Sequence, residues 1–127
     1  MTQEDKELLV DLCARLPYKV KVCLYGKETC ILMGIDGNEV YLDVDSDSFR
    51  IESIKPYLRP MSSMTEEERK EWYKESYVDY DCEFQPIPIL ELEHCHLSTD
   101  WLNKKMFDYR GLIEKDLALE APEGMYN

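Results

Sequence analysis

Long hydrophobic runs are absent from this sequence of 127 residues. A membrane-spanning helix needs about 18 or more consecutive apolar residues, and no such stretch occurs. The first residues, Met1 to Asp5, are acidic, whereas a secretory signal begins with basic residues. We therefore expect a cytoplasmic protein with no membrane partner.

Regular cysteine spacing is also absent. The cysteines are five in number and form no CxxC pair: Cys13, Cys23, Cys30, Cys82 and Cys95. An odd, irregular set does not predict a disulfide framework. In a reducing compartment we expect these residues to be small buried hydrophobes.

The motifs of the common enzyme classes are missing. No GxSxG, P-loop, GxGxxG or HExxH motif occurs. Carboxylates are so abundant, at 27 Asp and Glu residues, that no acid–base pair stands out among them. The sequence therefore predicts no catalytic residue and no cofactor, and it does not indicate an enzyme.

One short cluster, His94-Cys95-His96, has residue types that bind metal ions. On a β-strand the side chains of His94 and His96 would share a face, and Cys82 or Glu93 would complete a site. No second ligand pair follows at zinc-finger spacing. We predict no metal site, and a metal-dependent enzyme that uses His94 and His96 remains an alternative function.

Positive charge is scarce. The chain has 15 Lys and Arg against 27 Asp and Glu residues, a net charge of −12, and residues 61–100 are the most acidic part. This block would repel a polyanion, so we expect no direct binding to nucleic acid. Two possibilities stay open: a basic partner protein, or an acidic decoy that mimics DNA.

The residues that are present suffice for a core, since 44% are hydrophobic and 11% are aromatic. Thr2 with Asp5 resembles a helix-capping pair. The following apolar residues recur at spacings of three and four, which predicts a helix within residues 1–17 that Pro17 ends: Leu8, Leu9, Leu12, Cys13 and Leu16.

Residues 18–60 alternate with a period of two, which predicts four short strands joined by tight turns. We expect a two-residue hairpin turn at Gly26-Lys27 and further turns at 36–38 and 45–47. A single tight turn at 54–58 then leads off the last strand. The alternating residues that define the strands are Val20, Val22, Leu24, Thr29, Ile31, Met33, Ile35, Val40, Leu42, Val44, Phe49 and Ile51.

Two helices are predicted within residues 61–119. Thr65 with Glu68 forms a capping box, and Trp72, Tyr73 and Tyr77 give the helix that follows an aromatic side. A second helix begins after Ser98 or Thr99 and ends near Gly111. The pattern does not predict a conformation for residues 78–97.

The resulting fold class is α+β in one domain, residues 1–127. It consists of a small SH3-like antiparallel β-barrel or meander at 18–60, an N-terminal helix at 1–17 and two packed helices in the C-terminal half. The helical and irregular part spans 61–119, and a tail spans 120–127.

Two strings, residues 55–68 (KPYLRPMSSMTEEE) and residues 107–127, which begin FDYRGLIEK, carry a resemblance. They resemble a family of small uncharacterised proteins from Bacteroidetes gut bacteria, often encoded by prophages or mobile elements. The resemblance implies a cytoplasmic, phage-related accessory protein and supplies no catalytic residues. The family has Gly where this chain has Asp116.

Binding is the function class that remains. Tyr57 and Arg59 lie where the chain leaves the predicted barrel, and Trp101 and Arg110 lie in the less acidic C-terminal third. Aromatic and Arg side chains are the usual anchors of protein interfaces, although Tyr57 and Trp101 would serve equally as core residues. We predict a non-enzymatic protein-interaction or regulatory accessory protein of phage or mobile-element origin.

Overall fold

The computed structural model describes residues 2–44, 48–76 and 99–126. Its helices are α1 (Gln3–Arg15), α2 (Glu66–Ser76) and α3 (Thr99–Lys104). Its strands are β1 (Lys21–Leu24), β2 (Glu28–Asp36), β3 (Glu39–Leu42), β4 (Ser48–Arg50), β5 (Ile54–Pro60), β6 (Phe107–Asp108) and β7 (Leu119–Glu120). One-turn 3-10 helices span Leu16–Tyr18, Ile51–Ser53 and Met61–Ser63. The α+β class and the N-terminal helix are confirmed.

Helix α1 begins where its capping pair predicts. The Thr2 hydroxyl accepts a hydrogen bond from the Asp5 N–H at 3.0 Å, and the Asp5 carboxylate accepts one from the Thr2 N–H at 3.2 Å. Leu8 and Leu12 are buried in the core beneath the sheet. Cys13 is exposed on this helix, so its predicted burial is wrong, whereas Cys23 and Cys30 are buried as predicted. Two of the five cysteines, Cys82 and Cys95, lie outside the described residues.

The strands form one sheet in the order β4-β3-β2-β1-β5-β6, and β7 also pairs with β5. Strands β1 to β4 form the predicted antiparallel meander, and Val20, Val22 and Leu24 are buried on one face. Strands β6 and β7 run parallel to β5. The sheet of the described residues is open, so closure into an SH3-like barrel is not confirmed.

Strand β5 occupies the place of a predicted turn. The turn lies earlier, at Ile51–Ser53, and Ile54–Pro60 is extended beside β1. The Tyr25 N–H donates to the Ser53 carbonyl, and Cys23 lies opposite Lys55. Because backbone groups alternate in direction along a strand, those of Ser53 and Lys55 face β1 and those of Pro56 face away from it. Pro56 therefore removes no hydrogen bond between these strands, and it does not end the strand.

Helix α3 is much shorter than predicted. It ends at Lys104, and Met106 has a φ of 64° in the left-handed region. The Met106 carbonyl accepts a 2.7 Å hydrogen bond from the Arg59 N–H, because the next residues pair with β5 as β6. Gly111 has a positive φ of 73°, but it lies in a turn and not at the predicted helix end.

The turn after β6 is held by a buried carboxylate. Asp108 accepts hydrogen bonds from the N–H groups of Leu112 and Ile113, both at 2.9 Å. Leu112 is thereby inserted in the core. This turn carries Arg110, one of the predicted binding residues.

Helix α2 is confirmed together with its cap and its aromatic side. The Thr65 hydroxyl accepts a hydrogen bond from the Glu68 N–H at 3.1 Å, and the Glu68 carboxylate accepts one from the Thr65 N–H at 3.2 Å. Trp72 and Tyr73 are buried in a second cluster with α3 and β6. Tyr77, the predicted turn at 45–47 and residues 78–97 lie outside the described residues.

A buried polar network fastens α1 to the C-terminal segment. Asp11 and Arg15 are both 0% exposed, and the Arg15 Nε donates to the Asp11 carboxylate at 2.9 Å. Arg15 also donates to the Phe107 carbonyl at 2.6 Å, and Arg110 donates to Asp11 at 2.7 Å. One carboxylate therefore lies between two guanidinium groups, and this contact joins the first helix to the chain beyond β6.

Candidate partner-binding surface

The turn between β1 and β2 is centred one residue earlier than predicted. Tyr25 and Gly26 are its middle residues, with φ of 54° and 70°, and the Lys27 N–H bonds the Leu24 carbonyl at 3.0 Å. Positive φ at both middle residues is the mark of a type I′ hairpin turn, which favours Asn, Asp or Gly at both places. A bulky tyrosine in the left-handed region is an outlier that costs about 1 kcal/mol.

Contacts from β4 and from the one-turn helix that follows it, Ile51–Ser53, hold Tyr25 in this conformation. Its N–H bonds the Ser53 carbonyl at 2.9 Å. Its ring meets Phe49 edge to face, with 6.3 Å between ring centroids and 76° between ring planes. The side chain nonetheless remains 64% exposed. The structure thus orients a large aromatic ring and leaves most of it in solvent.

A cavity of about 430 Å³ lies next to this ring. Its lining includes Tyr25, Cys23 and Lys55, together with Glu52 from the 3-10 turn and Leu119 from β7. Three parts of the fold that are distant in sequence therefore meet at the hairpin tip. We call this surface the hairpin-tip site.

Of the two charged residues that line the hairpin-tip site, only Lys55 has an ion-pair partner among the described residues. Lys55 forms a 3.0 Å ion pair with Asp116, which is itself in the left-handed region at φ 60°. Both side chains are solvated, so this pair contributes little to stability. Among the described residues, Glu52 has no hydrogen bond or ion pair with another side chain. The site therefore offers a carboxylate beside an aromatic ring.

Tyr57 adjoins the hairpin-tip site on the same face of β5 as Lys55. Hydrogen bonding with Thr29 lowers the pKa of the Tyr57 phenol, but hydrogen bonding with Cys23 and burial raise it, and the net pKa lies above its ordinary value. The phenol is therefore neutral at physiological pH.

Arg59 is bound within the protein. Its guanidinium donates to both oxygens of Glu68, at 2.7 and 2.8 Å, and lies 4.2 Å from the Phe107 ring centroid. The hydrogen bonds from Arg59 lower the pKa of Glu68 to about 2 against the raising effect of burial, and the Thr65 backbone contributes to the same lowering. Arg59 thus connects β5, α2 and β6.

Trp101 lies in the aromatic cluster. Its ring stacks between Trp72, at 6.2 Å, and Phe107, at 5.7 Å, and it is buried. Arg110 is only partly buried and lies over the Tyr109 ring at 4.6 Å. Arg59 and Trp101 therefore meet at Phe107, while Tyr57 and Arg110 lie elsewhere. The four predicted binding residues do not form one surface, and their role in binding stays a prediction.

Sequence reasoning missed Tyr25. The available signal was the dipeptide Tyr25-Gly26 beside Gly26-Lys27, two turn centres that differ by one residue. The bond from Tyr25 to Ser53 selects the first, and such a long-range bond leaves no trace in the local sequence.

A metal site is not found in the part of the chain that the structure describes, where no three His, Cys, Asp or Glu residues are grouped to hold an ion. His94 and His96 lie outside the described residues. No helix among residues 2–44, 48–76 and 99–126 combines the length and the apolar character needed to cross a bilayer. No protein-family model matches the chain, and no curated protein or solved structure is significantly similar to it.

Proposed function

We propose that this protein is a non-enzymatic protein-interaction or regulatory accessory protein of phage or mobile-element origin, and that it binds its partner at the hairpin-tip site. The observation that supports this proposal is Tyr25, a strained and 64% exposed aromatic residue at the edge of a cavity. Backbone strain of this kind clusters at functional sites, and tyrosine is enriched among interface anchors.

The chemistry of the site favours a basic partner. A cationic side chain placed over the Tyr25 ring would gain cation–π energy and would neutralise Glu52. The net charge of −12 would also favour the approach of a basic protein to this chain. We expect the interaction to take place in the cytoplasm.

The finer fold that we propose for residues 18–60 is SH3-like. The strand order β4-β3-β2-β1-β5 supports it, as does the one-turn helix at Ile51–Ser53 between β4 and β5. In this arrangement the one-turn helix closes one end of the meander and brings Ser53 to Tyr25. The hairpin-tip site would lie at that closed end.

Replacing Tyr25 with Asn tests the proposal, because Asn tolerates the left-handed conformation that the turn requires. Relief of strain offsets the lost contact with Phe49, so we expect the free energy of unfolding to change by less than about 1 kcal/mol. Binding should fall while the fold persists. Tagged wild-type and Tyr25→Asn proteins are compared by quantitative pull-down from host lysate at low salt, with folding checked by urea denaturation.

The matched control is Tyr41→Thr, which removes another exposed tyrosine from a strand that takes no part in the site. The proposal requires a basic protein that wild type and Tyr41→Thr capture and Tyr25→Asn does not. Equal capture by all three proteins would contradict it.

The two alternative functions stay predictions. An acidic decoy would need solvated carboxylates spread over one face, and three carboxylates are used inside the described part of the chain: Asp11, Glu68 and Asp108. A metal-dependent enzyme would depend on His94 and His96. No observation on the described residues favours either function.

A further inference from the structure

A second concave surface, between α1 and the turn that follows β6, is lined by more cations than anions. A cavity of about 400 Å³ lies there, and its lining includes Lys6, Glu7, Val10, Arg110, Leu112 and Lys115. We call it the α1 groove. Three cations meet in it although the chain as a whole carries a net charge of −12. Charge concentrated against the overall balance of a protein indicates a local ligand of the opposite sign.

The cations of the α1 groove are only partly neutralised. Lys115 forms a 2.9 Å ion pair with Glu7, and Arg110 gives one N–H to Asp11 at 2.7 Å. Within the described residues, the side chain of Lys6 has no ion pair, and Arg110 has no other hydrogen bond. The groove therefore keeps donors for an anion.

Arg110 is held ready to use these donors. The carboxylate that orients it, Asp11, is fully buried and is fixed in turn by Arg15. The Tyr109 ring lies 4.6 Å beneath the guanidinium, and Asp108 fixes the turn through two backbone N–H groups. A guanidinium with a fixed orientation loses little entropy when it binds a carboxylate through two hydrogen bonds.

The groove also has an apolar side. Val10 on α1 lines the groove and is 57% exposed, whereas the Leu112 side chain, also part of the lining, is fully buried in the core. An exposed valine beside an oriented arginine suits a ligand that carries an apolar group next to its negative charge. A plain inorganic anion would leave this wall unused.

We propose that the α1 groove binds a carboxylate that stands next to an apolar side chain, as at the C-terminus of a partner peptide that ends in Leu. The carboxylate is bound by Arg110, Lys6 supplies further positive potential, and the leucine side chain packs on Val10. This site is separate from the hairpin-tip site and does not depend on it. Capture of a C-terminal carboxylate is one of the recurring modes of peptide recognition.

The test uses the full chain and three probes in isothermal titration calorimetry: the free acid of acetyl-Gly-Gly-Leu, its C-terminal amide, and sodium sulfate. The free acid should bind at least about tenfold more tightly than the amide, because only the acid pairs with Arg110. Its affinity should fall as salt is added. Equal affinity for acid and amide, or for sulfate and the free acid, would overturn the proposal.

Two substitutions assign the binding to the groove. Lys6→Gln removes a cation that has no described partner and should weaken binding of the free acid about threefold, with the fold intact. Arg110→Lys keeps the charge near Asp11 and should weaken it about tenfold, because lysine cannot form the two-bond fork. The matched control is Lys27→Gln in the β1–β2 turn. If Lys6→Gln and Arg110→Lys both bind the acid like this control, the α1 groove is not the site.

Discussion

Arg15 connects helix α1 to the C-terminal segment through its hydrogen bond to the Phe107 carbonyl. It is completely buried, and its charge is balanced by Asp11 one helical turn earlier. One of its terminal nitrogens, Nη1, has no hydrogen-bond partner among the described residues. A buried ion pair gains its Coulomb energy only by losing hydration, so it contributes little net stability while both members are present and costs much when one is removed.

Asp11→Asn should therefore destabilise the protein strongly. The substitution leaves two guanidinium groups without their shared carboxylate, and we expect a loss of about 3–5 kcal/mol in the free energy of unfolding. The measurement is urea denaturation followed by tryptophan fluorescence. The double variant Asp11→Leu with Arg15→Met removes both buried charges and should lose less than Asp11→Asn. A double variant that is the less stable of the two would contradict this account.

The spacing of this pair was visible in the sequence. Asp11, Leu12 and Arg15 lie three, four and seven residues after Leu8, the intervals of a single helix face. The helical pattern predicts burial for Leu8 and Leu12. By the same reasoning from sequence, the charges of Asp11 and Arg15 predict that these two side chains are exposed. Mutual neutralisation reverses the prediction of exposure, and it depends on Arg110 and the Phe107 carbonyl, which are close only in the folded chain.

Helix α2 is the element with the most complete local specification. The Thr65–Glu68 capping box starts it, and Trp72 and Tyr73 bury its aromatic side. Arg59 adds a long-range contact, because it binds the carboxylate that caps the helix. The start of α2 is thus stabilised from its own first turn and from β5 at the same time.

Glu68→Gln isolates the contribution of that contact, since Gln is also accepted in a capping box. The pKa of Glu68 is lowered to about 2, below its ordinary value of 4.5, so its stabilisation is present above pH 4.5 and is lost as the pH falls through 2. Solvent reaches part of the pair, so we expect the wild type to be more stable by about 1 kcal/mol at pH 7. The difference should shrink as the pH falls from 5 to about 2.

The measurement is the urea midpoint of both proteins between pH 7 and the lowest pH at which they fold. Glu67→Gln makes the same chemical change one residue earlier, where no ion pair is found among the described side chains. It should follow the wild type at every pH. A pH-independent difference between Glu68→Gln and the wild type would show that the carboxylate charge is not its cause.

At the scale of the whole molecule, the C-terminal segment adds two strands to the sheet and connects β1 with β5. Strands β6 and β7 lie on opposite edges of β5. In the peptide group between Leu58 and Arg59, the Arg59 N–H donates to the Met106 carbonyl and the Leu58 carbonyl accepts from the Ala121 N–H. The N–H and the carbonyl of one trans peptide group point in opposite directions. Tyr126 then bridges β1 and β5, because its hydroxyl accepts from the Lys21 N–H at 3.1 Å and donates to the Tyr57 carbonyl at 2.7 Å. The tail of the chain is therefore part of the fold.

Tyr126→Phe tests this closure. It leaves the Lys21 N–H and the Tyr57 carbonyl without their bridge, and we expect a loss of about 1–2 kcal/mol in the free energy of unfolding. Hydrogen exchange should quicken first at Lys21 and in residues 119–121. Tyr18→Phe is the control, since Tyr18 is partly exposed and makes no hydrogen bond through its hydroxyl to the described residues. Equal exchange rates in wild type and Tyr126→Phe would contradict the bridging role.

Local signals in the sequence determined much of this structure. The Thr2–Asp5 and Thr65–Glu68 caps and the alternation of Val20, Val22 and Leu24 depend on groups within a few residues of one another. Hydrogen bonds to nearby N–H groups and a fixed side-chain period act over that range, and they are the same in any fold. The α+β class follows from them directly.

Only the tertiary structure decided where those elements end and which charges they bury. Pairing with β5 replaces the end of the predicted second helix by β6, the bond to Ser53 selects Tyr25 for the hairpin turn, and Arg110 completes the burial of Asp11. Each outcome depends on a hydrogen bond between residues far apart in sequence. The energy of such a bond is available only once the chain has folded, so the local pattern of residues carries no record of it.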